Sequence, residues 1–238
     1  MGLESVNTGA GPSRFPRTAR GCVDWQPSGM NSTRELDTPH GRARVHLRLA
    51  ARARAGLVLG HGAGGGVTAR DLVTAADAAA SEGISVVLVE QPYRVAGRRS
   101  PAPAHQLDAA WAAVVDQLLA DELRGLPLVV GGRSSGARVA CRTAGTTGAV
   151  GVLCLAFPLQ PPRRSGSAAA ASRLPELDAV TVPMLVVQGA RDPFGMPPAA
   201  ARRTVVQVAA DHSLRTDLQA VGDAVGAWLR DAVGAASG

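Results

Sequence analysis

The chain has 238 residues, with 25 Arg, no Lys and 19 Asp or Glu, which gives a net charge of +6 and a pI near 10.7. Hydrophobic residues make up 46% and charged residues 18%, as in globular domains, but aromatics are only 3%, so a core must be built from Val, Leu and Ala. The arginines are scattered, with modest groupings at Arg42–Arg54, Arg94–Arg99 and Arg163–Arg164. No aromatics interleave them to stack bases, which argues against a nucleic-acid partner, and no apolar run is long enough to span a membrane.

Residues 1–40 are rich in Gly, Pro, Ser, Thr and Arg, show no sustained periodicity and read as a disordered tail ahead of one domain over 41–235. The tail has no apolar segment of the secretory type, and Met30 offers a second start just before the patterned region. Cys22, Cys141 and Cys154 are odd in number and lack metal spacing. Cys141 and Cys154 lie in apolar runs and read as buried, reduced thiols, in keeping with a cytoplasmic location.

From residue 43 the pattern is regular. ARVHLRLA alternates as a half-exposed strand does. GLVLGH (56–61), ISVVLVE (84–90), PLVVGG (127–132), AVGVLCLAF (149–157), MLVVQGA (184–190) and TVVQVA (204–209) are short apolar runs of the kind buried on both faces of a parallel sheet. Between them, 104–120 places Leu107, Ala110, Trp111, Val114, Val115 and Leu118 on one helical face. Residues 214–229 do the same with Leu214, Leu218, Val221, Val225, Trp228 and Leu229. Residues 68–81 and 135–144 are helical by position and Ala content. Alternation of strands and helices predicts an α/β domain with an open, mainly parallel sheet. The Pro/Arg/Ser-rich segments 91–104 and 158–176 read as loops.

LVVGGRSSGARVA (128–140) places G-x-S-x-G between a strand and a helix, the pattern that presents a nucleophile on a sharp turn. Gly132 and Gly136 flank Ser134 at the required spacing. Ser135 has Arg133 and Ala137 in those places and fails. A serine nucleophile needs a base and an acid that orients it, and each is expected after a later strand. VVQGARDPFG supplies Asp192 and VAADHSL supplies His212. Asp211 competes as the acid but adjoins His212 on one loop. His61 competes as the base but precedes the serine, within LGHGAGGG (59–66). That turn is the expected source of one backbone oxyanion donor, Ala63 first and Gly64 next, and the N–H of Ser135 is the other. The same turn satisfies G-x-G-x-x-G through Gly60, Gly62 and Gly65, with Glu90 as the acid after the next strand. Dinucleotide binding is therefore the rival reading.

LGHGAGGG, EQPYRVAGRRSPAP, GGRSSGARVA, LAFPLQPP, VQGARDPFG and ADHSL occur in this order. Together they resemble a dienelactone-hydrolase-like branch of bacterial α/β hydrolases, over residues 38 to 232. The branch is related to a testis-expressed hydrolase-like protein and to the hydrolase-like subunit of the non-specific-lethal histone-acetyltransferase complex. The resemblance implies an α/β-hydrolase fold, a nucleophile at Ser134, an acid at Asp192, a base at His212 and an oxyanion turn at Gly62–Gly64. The chain departs from typical esterases in lacking a large cap insertion between its strands, so little or no cap is expected, and the serine-hydrolase reading calls for no metal and no cofactor. The activity expected is cleavage of an ester, thioester or related acyl bond in a small molecule. A non-catalytic interaction module on the same fold is the alternative, since complex-subunit relatives act as such. Arg133 before the nucleophile departs from the usual small or apolar residue. Tyr93, Arg94, Arg98 and Arg99 are candidates to attract a substrate carboxylate or phosphate, and Phe157, Leu159 and Phe194 to offer it an apolar surface. The sequence leaves the oligomeric state open.

Overall fold

The computed structural model describes Met1, residues 29–161 and residues 171–236; Cys22, Arg163 and Arg164 lie outside them. Eight strands form one sheet: β1 Ser32–Thr38, β2 Gly41–Arg48, β3 Gly56–Gly60, β4 Ser85–Glu90, β5 Leu128–Arg133, β6 Gly151–Leu155, β7 Met184–Gly189 and β8 Arg203–Val208. Their order in space is β1-β2-β4-β3-β5-β6-β7-β8. The β1–β2 hairpin is antiparallel and adds to β4 antiparallel, and every other pairing is parallel.

Strands β3, β5, β6 and β7 are buried along nearly their whole length because helices cover both faces. On one face α3 (Ala104–Ala120), α4 (Ser135–Thr143) and the short α5 (Leu174–Asp178) enclose a core with Trp111 fully buried at its centre. On the other face α1 (Arg70–Ser81) and α6 (Leu218–Ala236) pack on each other over Leu57, Leu59, Leu153 and Leu185. Segment 91–104 contains a single helical turn, α2 (Pro92–Val95).

Two boundaries differ from the sequence reading. Residues 32–38, assigned to the tail, are β1. Only Leu36 of that strand is buried, so the apolar signal is one residue long, and the outer edge instead carries Arg34, Glu35 and Asp37, which also protect it from pairing with other chains. Met30 is likewise packed into the core on the α1–α6 face. The C-terminal helix starts at Leu218 rather than 214. Asp217 accepts a hydrogen bond from the Ala209 N–H at 3.0 Å, and Leu214, though buried, sits at φ +52° in the preceding turn.

Cys141 and Cys154 are both free and buried, with Sγ atoms 3.5 Å apart, and Cys141 together with burial pushes the Cys154 thiol well up. Helix α4 is fixed laterally by a charge network. Arg138 makes a paired contact with Glu176 (2.8 and 2.5 Å), and Arg142 does so with Asp108 (2.8 and 2.6 Å). The helix that follows the candidate nucleophile is thereby tied to α5 and α3.

Candidate active site

Ser134 joins β5 to α4 at φ +52°, ψ −107°, a backbone conformation that is costly for any residue with a Cβ. The turn closes because its flanks are glycine. A Cβ at Gly132 would lie 2.4 Å from the Gly60 carbonyl oxygen, and one at Gly136 would lie 2.3 Å from the same atom. Helix α4 therefore leaves the sheet in contact with the end of β3, and the Ser134 side chain stands on the crest. Its N–H donates to the Leu155 carbonyl at 2.9 Å, tying the turn to β6. The non-glycine residues with positive φ among those described are Ser134, Ala156 and Leu214. One is the candidate nucleophile, one ends the neighbouring strand and one follows the His212 loop, so backbone strain gathers at this crest.

The three residues drawn from separate loops meet here. Ser134 Oγ is 3.0 Å from His212 Nε2, and His212 Nδ1 is 2.8 Å from Asp192 Oδ2. The Asp192 side chain is fully buried and its acceptor sites are filled: Oδ1 takes the Phe194 N–H at 2.9 Å, and Oδ2 also takes the Gln188 amide at 2.8 Å. Gln188 Nε2 lies as well against the carbonyls of Phe157 and Gly195. Those neighbours are all acceptors, which sets the amide orientation. Phe194 also packs edge-on against the His212 ring, with centroids 4.5 Å apart. Asp211, the competing acid, instead accepts from the Ser213 N–H and hydroxyl.

Across Ser134 lies the glycine-rich turn. The Gly65 N–H donates to the Gly62 carbonyl at 3.1 Å, which places Ala63 and Gly64 at the corners of a tight turn. Ser135 is the first residue of α4, where backbone N–H groups lack intrahelical partners. Two side chains support the turn from the β4 side. Tyr93 donates its hydroxyl to the Ala63 carbonyl at 2.9 Å. His61 is buried, with Nδ1 2.8 Å from the Gly62 carbonyl, while Nε2 accepts the Gln91 N–H at 3.2 Å. This pattern requires the neutral Nδ1–H tautomer and removes His61 as a competing base. Burial holds its pKa below the usual imidazole value.

Arg133, the unusual neighbour of the nucleophile, bridges the two sides. Its Nε donates to Asp71 Oδ2 at 2.9 Å and its Nη2 to the His212 carbonyl at 3.1 Å. A Cβ at Gly62 would meet Arg133 Nη1 at 2.7 Å, so a side chain there would press the guanidinium away from its partners. Asp71, buried in the first turn of α1, is pushed upward in pKa by desolvation, against the pull of Arg133.

The other candidates lie apart from Ser134. Arg98 lines a cavity of about 330 Å³ with His40, Gln91, Leu107 and Ala110, on the β2–β4 side, and neither Ser134 nor His212 lines it. Arg94 acts on the electrostatics of His61 and Tyr93, Arg99 is exposed, and Phe157 and Leu159 are buried. The dinucleotide reading meets two obstacles. Gly60 is closed off by Trp111 and the Gly136 backbone, and Glu90 faces Arg44 and His46 of β2 at 3.7 and 3.6 Å. Sequence reasoning missed Asp71, Gln91 and Gln188 altogether. Arg133 was visible only as a departure from pattern. Among the described residues no group of three or more His, Cys, Asp or Glu side chains is placed to hold a metal ion, and no helix is long and apolar enough to cross a membrane.

The fold recurs among solved structures. A lidless α/β serine hydrolase from Xanthomonas campestris superposes with TM-score 0.68 at 21% identity, covering 86% of this chain and 95% of that one. Est1E from Butyrivibrio proteoclasticus gives 0.69 at 15% (86% and 100%), and a dienelactone hydrolase from Anabaena variabilis 0.66 at 15% (84% and 96%). No curated protein matches the sequence at a significant level. The alpha/beta hydrolase domain family matches residues 53–224, most of the chain. With the mainly parallel sheet and the crest geometry above, this protein belongs to that family.

Proposed function

We propose that the protein is a serine hydrolase of esters, thioesters or related acyl bonds, with Ser134 as nucleophile, His212 as general base and then acid, and Asp192 as the residue that orients the imidazole. The observation that carries the reading is the continuous hydrogen-bonded chain from Ser134 Oγ through His212 to buried Asp192, built on a strained turn at the carboxyl end of β5. In that chain His212 Nε2 takes the serine proton as Oγ attacks the acyl carbon. Asp192 accepts from Nδ1–H and stabilises the imidazolium. In this reading the N–H of Ser135 and an N–H of the Ala63–Gly64 turn, Ala63 first, receive the developing oxyanion. Collapse of the tetrahedral intermediate releases the alcohol or thiol with the proton from His212. Water, activated by the same imidazole, then hydrolyses the acyl-enzyme and returns Ser134 to its free form.

An esterase domain and a dienelactone hydrolase among the structural neighbours support a small acyl substrate, and the chemistry needs no metal or cofactor. A fluorophosphonate probe tests the assignment. Labelling is expected in the wild type and in Ser135→Ala and absent in Ser134→Ala. No labelling of the wild type, or equal labelling of all three, would sink it. With an ester substrate, Ser134→Ala or His212→Ala should lower turnover by roughly four to six orders of magnitude.

A further inference from the structure

The glycine-rich turn holds more glycine than its own geometry uses. A Cβ at Gly62 would press on Arg133 Nη1, but Gly64 and Gly66 have neither a positive φ nor any atom within 4 Å of a Cβ position. Both instead line an open, polar recess of about 410 Å³ beside the oxyanion turn, which Arg70, Arg133 and Arg215 also line. Where neither strain nor packing demands glycine, bare backbone keeps room for a ligand to approach the main chain.

Neither Ser134 nor His212 lines the recess, but their chain neighbours Arg133 and Ser213 do, and the recess is cationic. Arg133 is committed to Asp71 and to the His212 carbonyl. Arg70 and Arg215 form no hydrogen bond or ion pair with a carboxylate among the described residues. Asp211, outside the lining, is held below its ordinary pKa first by the Ser213 hydroxyl and N–H, and then by Arg191 and Arg215. Among the residues that line the recess, three guanidinium groups (Arg70, Arg133 and Arg215) stand against one carboxylate (Asp71), an excess of two positive charges. Two arginines without a hydrogen-bonded carboxylate, beside open backbone, suit a phosphate dianion, which offers several acceptor oxygens at once.

The geometry points to this recess as an anion subsite of the active site, formed by Arg70, Arg215 and the backbone of Gly64–Gly66, that takes a phosphate group carried by the acyl substrate. The proposal rests on the hydrolase reading and moves anion recognition from the Arg94–Arg99 segment to the α1 side of Ser134.

Binding is tested without catalysis. Inorganic pyrophosphate titrated into Ser134→Ala protein by calorimetry should bind saturably. Affinity should fall at least tenfold when Arg70→Ala, Arg215→Ala or Gly66→Val is added, and hold when Arg98→Ala or Arg99→Ala is added. Gly66→Val should keep the wild-type melting temperature, because its Cβ meets no protein atom. Absence of saturable binding, or a loss that tracks Arg98 and Arg99, overturns the subsite. In turnover, an ester bearing a phosphate should exceed its neutral counterpart of the same acyl group at least tenfold in kcat/KM, and Arg70→Ala or Arg215→Ala should erase the difference. Turnover without that preference also overturns it. Pyrophosphate binding that responds to Arg70 and Arg215, with neither ester hydrolysed, supports the anion site and counts against the hydrolase reading.

Discussion

The two sides of the crest around Ser134 are held in different ways. On the β7–β8 side, Asp192 and His212 each follow their own strand directly, and their partners lie close in sequence: Gln188 four residues before Asp192 and Phe194 two after it. On the β3 side, the glycine turn proposed as the oxyanion site is held by residues thirty or more positions away: Tyr93 on Ala63, Gln91 on His61, and Arg133 against Gly62. The first side is organised by local chain geometry and the second by packing between elements. Damage to the first should therefore abolish chemistry while the fold survives, and damage to the second should weaken both.

The largest contrast is expected from Asp192→Asn. The amide would set an NH2 group where the Phe194 N–H and the Gln188 amide already donate, and it would favour the wrong imidazole tautomer. Turnover should fall about 10⁴-fold with little change in melting temperature. Retained activity would place the orienting acid elsewhere. Arg133→Met tests the other side. It leaves Asp71 buried without its counter-charge, at a cost of about 3–5 kcal/mol in stability. Turnover should also fall about 10²-fold, because the His212 loop and the glycine turn lose their common anchor. Asp71→Leu added to Arg133→Met should restore much of the stability but not the rate. If both return together, Arg133 has no positioning role.

The same division explains what was legible in the sequence. Seven of the eight strands, and Ser134, Asp192 and His212 at their ends, could be read because a buried strand is a short apolar run and chain order places its terminus on the crest. Strand β1 was lost because a solvated edge with one buried side chain leaves no pattern. The supports of the glycine turn were lost for another reason. The Arg133–Asp71 contact spans 62 residues and the Arg133–His212 contact 79, and no periodicity records a pairing over such distances. Tyr93 was singled out for substrate, yet its hydroxyl is spent on the Ala63 carbonyl.

Tyr93→Phe gives a smaller effect on the packed side. It removes a single hydrogen bond of about 1 kcal/mol, so kcat should fall roughly fivefold. KM should hold if the turn contributes only once charge develops on the oxygen. A change in KM alone would mean that Tyr93 acts on substrate binding instead.

The smallest effect is a pH dependence of stability that belongs to the packed side alone. His61 donates through Nδ1 to the Gly62 carbonyl and accepts through Nε2 from the Gln91 N–H, so only the neutral ring satisfies both neighbours. Desolvation is the chief cause of its lowered pKa. The Gly62 hydrogen bond and the Glu90 charge oppose it, and Arg94 adds to it. In the unfolded chain the ring titrates near an ordinary value of about 6.5. Above that pH both states are neutral and the full stability is present. Below it the unfolded chain takes up a proton that the fold refuses, so stability falls until the lower folded-state pKa is reached. Thermal unfolding followed from pH 7.5 to 5 should show this loss, and His61→Gln should show a shallower slope over the same interval. The remaining histidines contribute equally to both proteins, so the difference in slope isolates His61. Parallel slopes would mean that the glycine turn does not depend on a neutral ring beneath it.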